Sequence, residues 1–174
     1  PKDLKDLRDR IDAVQHPAKI IAKIEKPEAI EKLDKIIKHS NAIMIARGDL
    51  GIEVPIERLP GIQKDIINRC IQRARPVIVA TQMMDSMIDN PTPTRAEVTD
   101  VANAVLDGAD AVMLSAETSV GKFPALVVQT MGKIITEAEK SQFFDNRRPS
   151  PSPASRTFLS DVVCFNAAKT SEDI

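Results

Sequence analysis

Ala42-Ile-Met-Ile-Ala-Arg-Gly-Asp-Leu-Gly51 is five apolar residues that run straight into a charged, glycine-flanked turn. No polar residue alternates within the run, so both faces of the strand are expected to be covered, as in a parallel sheet. Three further runs share this form: Lys19-Ile-Ile-Ala-Lys-Ile-Glu25, Pro76-Val-Ile-Val-Ala80 and Ala109-Asp-Ala-Val-Met-Leu114. Their starts near Ile20, Ala42, Pro76 and Ala109 lie 22, 34 and 33 residues apart, the length of successive βα units. Apolar residues at helical spacing fill the gaps. Leu4, Leu7, Ile11 and Val14 mark a first helix, and Ile30, Leu33, Ile36 and Ile37 a second. Ile62, Ile66, Ile67, Cys70, Ile71 and Ala74 give the third its apolar face. Thr94 to Glu97 reads as a capping box opening a helix with Val98, Val101, Ala102 and Val105 inward, which Gly108 ends. Pro124 to Lys140 is the last helix of this series.

The order α-β-α-β-α-β-α-β-α predicts an α/β fold, either four units of a (β/α)8 TIM barrel or an open doubly wound sheet. Beyond it, Arg147-Arg-Pro-Ser-Pro-Ser-Pro-Ala-Ser155 reads as a linker. Phe158, Val162, Phe165 and Ala168 outline one more helix. Four of the five Phe residues lie beyond residue 142, so packing changes character there. The expected division is residues 1–142 as the barrel portion, 143–157 as linker and 158–174 as the first helix of a following domain. The chain opens without methionine, directly in a helical pattern, and is expected to be a piece of something longer.

Composition narrows the function classes. Of the 174 residues 43% are apolar and 28% charged, with 24 Lys and Arg against 25 Asp and Glu. A formal net charge of -1 lacks the basic excess of a nucleic-acid arm or membrane-surface patch, so neither partner is expected. No apolar run approaches the roughly 18 residues of a membrane span. Cys70 and Cys164 stand in unrelated contexts and are expected to be small buried residues of a reduced, cytoplasmic protein. P-loop, G-x-G-x-x-G, G-x-S-x-G and H-E-x-x-H patterns do not occur.

Polar residues interrupt the strands at their carboxyl ends, where parallel α/β proteins place their chemistry. Lys23 and Glu25, two apart, project to the same side of their strand. Asp49 follows the second strand, Thr81 the third, and Ser115 with Glu117 the fourth. An ammonium beside paired carboxylates suits a phosphate or enolate bridged by a hard cation such as Mg²⁺. Each residue also has a plainer reading. Lys23 and Glu25 can be a structural ion pair, Asp49 a turn cap, Thr81 a β-branched strand residue, and Ser115 and Thr118 helix caps. His16 and His39 lie at helix ends and are expected to be solvated, and Met83, Met84 and Met87 are expected to pack between strands and helices.

Taken together, Ile21-Ala-Lys-Ile-Glu25, Met44-Ile-Ala-Arg-Gly-Asp-Leu-Gly51, Ala80-Thr-Gln-Met-Met-Asp-Ser-Met87, Pro93-Thr-Arg-Ala-Glu97, Asp100-Val-Ala-Asn-Ala-Val105 and Met113-Leu-Ser-Ala-Glu-Thr118 closely resemble the pyruvate kinase family. The resemblance runs in order from about Lys2 to Lys140 and more loosely to Ile174. Asp85 stands where many members carry Glu, Ala116 where many carry Gly, and Asn41-Ala42 replaces Asp-Gly. The resemblance implies strands five to eight of a catalytic barrel and the start of the C-terminal domain. It also implies phosphoryl transfer from phosphoenolpyruvate to ADP in glycolysis, giving pyruvate and ATP, by a homo-oligomeric cytoplasmic enzyme. On matching positions, Lys23 resembles the lysine that stabilises the transferring phosphoryl group. Glu25 and Asp49 look like the carboxylates that hold Mg²⁺ or Mn²⁺. Gly48, Asp49 and Thr81 match the group that binds the substrate carboxylate, and Thr81 and Ser115 a proton relay. The family's K⁺ ligands and most ADP contacts match nothing in this chain, so these residues alone are expected to be inactive. Two other readings compete: a metal-dependent lyase or aldolase acting on pyruvate or phosphoenolpyruvate, and a non-catalytic piece that self-associates through open strand edges.

Overall fold

A computed structural model describes residues 1–141, 151, 153 and 157–171. The chain divides into two compact units, Pro1–Phe144 and Asp145–Ile174. In the first, four strands form one parallel sheet in the order β1 (Ile21–Ile24), β2 (Ala42–Ala46), β3 (Val77–Ala80), β4 (Ala111–Met113). Lys23 lies beside Met44, Ala46 beside Ala80, and Ala80 beside Met113. The residues that follow each strand, Glu25, Arg47, Thr81 and Leu114, therefore share one edge of the sheet.

The helices are α1 (Lys2–Ala13), α2 (Pro27–Glu31), α3 (Leu33–His39), α4 (Arg47–Glu53), α5 (Leu59–Gln72), α6 (Arg95–Leu106), α7 (Ala116–Ser119) and α8 (Pro124–Glu139). Where the spacing predicts one helix over Ile30 to Ile37, the backbone breaks at Lys32 (φ -104, ψ 16), whose N–H closes α2 and from which α3 starts afresh. The stretch after β2 that reads as a turn is a helix, α4, in spite of its two glycines.

Helices cover one face of the sheet. Ala22, Ile24, Ile43, Ile45, Val77 and Val79 point into them and are buried with Leu33, Ile37, Ile66, Ile67 and Cys70. Each wholly buried Ile or Leu contributes about 1.5–3 kcal/mol relative to exposure. Met83, Met84 and Met87 are fully buried in the same core, as expected. The opposite face differs from the expectation of two covered faces: Ile21 is 50% exposed, and Met44 and Ile78 are half-buried, because no described element lies over them.

Several helical faces are shallower than their spacing predicts. No residue of α1 is buried, and Leu7 and Val14 are exposed. In α6 the buried residues are Val101, Ala104 and Val105, while Val98 faces outward. Ala74 is exposed just beyond α5, in a left-handed conformation. Cys70 is buried, and burial raises its thiol to about 11, but Cys164 is exposed, contrary to expectation. His16 is exposed, whereas His39 is half-buried.

The capping box of α6 is present in full: Thr94 Oγ1 accepts from Glu97 N–H, and Glu97 Oε2 accepts from Thr94 N–H at 2.7 Å. Glu97 also accepts from Ser86 N–H and Ser86 Oγ, which pins the turn after β3 (a 3₁₀ segment, Asp85–Ile88) to the start of α6. Partial burial alone would raise the Glu97 carboxyl, but the bonds from Ser86 and Thr94 lower it. Its stabilisation is thus present above the ordinary glutamate range and is lost as pH falls through the lowered value. We expect Thr94→Ala to cost about 1 kcal/mol in urea unfolding, and Glu97→Gln to flatten the acid limb of the stability profile. At the other end of α6, Gly108 has φ 91, and a Cβ there would meet Ile71 Cδ1 at 2.8 Å.

The second unit contains α9 (Phe158–Thr170). Phe158, Val162, Phe165 and Ala168 are half-buried positions of this helix. The expected linker, 143–157, lies almost wholly outside the described residues.

Candidate functional site

The carboxyl edge of the sheet brings three of the expected residues into one ionic cluster. Lys23 and Glu25 extend from β1 on one side, and Lys23 Nζ donates to Glu25 Oε2 at 2.7 Å. Helix α4 begins directly after β2, so Asp49 falls in its first turn, and its Oδ2 accepts from Lys23 Nζ at 3.0 Å. All three side chains remain open to solvent, at 51%, 36% and 57% exposure. The hydrogen bond to Glu25, then that to Asp49, raises the Lys23 pKa, so the ammonium stays charged. With Lys26, Ile52 and Glu53 these residues line a cavity of about 330 Å³.

The donor set fits a hard divalent cation. One ammonium already bridges the two carboxylates, so the pair holds positive charge between them. Mg²⁺ commonly takes only one or two protein carboxylates, leaving its remaining positions for water and substrate oxygens. Among the described residues no group of three or more His, Cys, Asp or Glu converges.

A second group stands at the ends of β2 and β3. Gly48 N–H donates to Thr81 Oγ1 at 2.8 Å. A Cβ on Gly48 would lie 2.9 Å from that hydroxyl oxygen, so glycine is what allows the close approach. Thr81 (φ 68) and Gln82 (φ 53) are both left-handed, a conformation that costs non-glycine residues of order 1–3 kcal/mol each. Arg47 holds them there. Its Nη2 donates to Thr81 O at 2.9 Å and to Gln82 O at 3.2 Å. The same guanidinium forks onto both oxygens of Asp100 in α6, at 2.8 and 2.7 Å. Arg47 appears in the sequence only as part of a motif; its role depends on three segments meeting, which spacing does not disclose.

The fourth strand contributes differently from expectation. Glu117 is 1% exposed and turned inward, accepting from Ser115 N–H at 2.7 Å and from Met84 N–H at 3.2 Å. It ties the loops after β3 and β4 together and is not a rim carboxylate. Ser115 begins α7 without a side-chain cap bond, and no described hydrogen bond joins it to Lys23 or Thr81. The structure thus gathers Lys23, Glu25 and Asp49 in one cluster and Gly48 and Thr81 in the adjoining one. A larger cavity of about 660 Å³ lies between α5 and α6, lined by Arg47, Gln63, Arg95 and Asp100. The ionic cluster lies outside it.

Comparison with known proteins gives a consistent result. Residues 1–128 match the family model described as pyruvate kinase, barrel domain. The chain is 54% identical over 151 residues to a pyruvate kinase of Mycobacterium intracellulare, covering 87% of this chain and 31% of that protein. It is 51% identical over 172 residues to a pyruvate kinase of Corynebacterium efficiens, covering 99% and 35% respectively. A crystal structure of a pyruvate kinase from Cryptosporidium parvum superposes with a TM-score of 0.78 at 46% identity, over 79% of this chain and 30% of that one. The chain spans about a third of the length of the curated relatives it matches.

Proposed function

This chain belongs to the pyruvate kinase family, and we propose that it carries the metal- and substrate-binding rim of that family's (β/α)8 barrel, contributing strands five to eight. The activity is transfer of the phosphoryl group of phosphoenolpyruvate to ADP, giving pyruvate and ATP, in a cytoplasmic homo-oligomer that also uses K⁺. The observation that carries this reading is the Lys23–Glu25–Asp49 cluster at the carboxyl edge of β1 and β2.

Glu25 and Asp49 would hold Mg²⁺ or Mn²⁺, which supplies neutralising charge to substrate oxygens when bound. Lys23 presents a compact ammonium to the charge spread over the transferring phosphoryl oxygens, a step governed chiefly by positioning and electrostatics. To do so it leaves at least one of its present carboxylate partners. Gly48 N–H, Asp49 N–H and the Thr81 hydroxyl bind the substrate carboxylate; the Gly48–Thr81 bond keeps this pair assembled when no substrate is there. Thr81 and Ser115 pass the proton that converts enolate to pyruvate. Residues 1–142 form the barrel portion, 143–157 the linker, and 158–174 open the following domain.

Replacing the corresponding stretch of Corynebacterium efficiens pyruvate kinase by this segment is expected to give an enzyme that consumes phosphoenolpyruvate and ADP. A chimera that is folded by circular dichroism yet shows no turnover overturns the reading.

A further inference from the structure

At the opposite edge of the sheet, where β2 and β3 begin, the first unit has a cavity of about 420 Å³. Lys5, Arg8 and Asp9 of α1, Lys38 and His39 of α3, and Arg75 ahead of β3 line it. Four permanent cations and an imidazole thus face a single carboxylate. Elsewhere among the described residues Lys23, Arg47, Arg69, Arg73 and Lys122 are among the cations that form ion pairs. Here only Arg8 is engaged, donating to Asn41 Oδ1 at 2.8 Å and to Ala18 O at 3.3 Å and lying 3.6 Å from Asp12. The side chains of Lys5, Lys38 and Arg75 make no hydrogen bond or ion pair among the described residues.

Lys38 and His39 have a plain structural role, since they sit in the last turn of α3, where the helix dipole favours positive charge. That role does not account for Lys5 and Arg75, which arrive from two other elements. Clustering like charges in a concavity is unfavourable unless an anion joins them. We propose that this cavity binds a small, multiply charged phosphate compound, gripped by Lys5, Lys38, Arg75 and protonated His39. Phosphoryl oxygens accept lysine as a point charge and arginine as a two-pronged donor, and the volume lies within the range of small-molecule sites. The site is independent of the rim cluster on the other side of the sheet.

His39 reports on occupancy. Burial lowers its pKa first, and Lys5 and Lys38 lower it further; Asp9 is the one acidic group lining the cavity. A bound phosphate favours the imidazolium, so the titration midpoint of His39 rises and binding tightens as pH falls through it. The chain has two histidines, and His16 does not line the cavity, so it serves as an internal control. Imidazole ¹H–¹³C spectra of the full chain are recorded across pH in millimolar pyrophosphate, and in chloride of matched ionic strength. Pyrophosphate is expected to raise the His39 midpoint by about 0.5 or more, to leave His16 in place, and to lose this effect in the double variant Lys38→Gln, Arg75→Gln. An unmoved His39, equal movement of both histidines, or an effect that persists in the double variant overturns the proposal; the wild-type comparison of the two histidines stands even if the variant fails to fold.

Discussion

Lys23→Met, in the chimeric enzyme described above, is expected to lower kcat by about three powers of ten or more, an energy of about 4 kcal/mol, with a much smaller change in KM. In the free protein the Lys23 ammonium is satisfied by Glu25 and Asp49, and those bonds hold it in the charged form. Its gain on meeting substrate is therefore modest in the ground state and grows only as negative charge spreads over the phosphoryl oxygens. An interaction made mainly in the transition state is lost from kcat and kcat/KM together. Lys23→Arg is not expected to restore the rate, because a planar guanidinium cannot occupy the space of a compact ammonium. A loss confined to KM would make Lys23 a ground-state binding group and overturn its assigned role.

Asp49→Asn in the same enzyme is expected to raise the Mg²⁺ or Mn²⁺ concentration needed for half-activation by about 100-fold, close to 2.8 kcal/mol. The substitution keeps the shape of the side chain and its place in the first turn of α4 but removes the anionic charge that a hard cation requires. It also takes one of two carboxylates from Lys23, so the measurement should be paired with Glu25→Gln, which removes the other. If both variants weaken metal activation, the carboxylate pair is the metal site. Unchanged metal dependence in Asp49→Asn would exclude that assignment.

Much of this architecture can be read from the chain alone, and the reasons are specific. The four strands announce themselves because Ala-Ile-Met-Ile-Ala and its counterparts are short, mainly apolar runs that end in polar residues and alternate with helical spacing. The capping box at Thr94 and Glu97 is equally legible, being a contact between residues three apart. Helix α4 is not legible: two glycines and an aspartate in seven residues read as a turn, and packing beneath Leu50, which is fully buried, overrides their low propensity. Within the site, Lys23 and Glu25 are recognisable from their spacing on one strand, and Asp49 from its place after the next. Glu117 misleads because a carboxylate at a strand end looks the same in sequence whether it faces the rim or the interior. Arg47 escapes because its partners at Thr81, Gln82 and Asp100 lie 34 to 53 residues away.

The left-handed pair at Thr81 and Gln82 sets backbone ease against side-chain placement. Glycine adopts such a backbone freely, so Thr81→Gly would relieve local strain at the sheet edge. The same change would delete the hydroxyl that meets Gly48 and leave the Arg47 fork clamping a backbone with nothing to present. Thr81→Gly is therefore expected to move local backbone stability and the geometry of the Gly48–Thr81 pair in opposite directions, the first read by thermal unfolding and the second by the amide shift of Gly48.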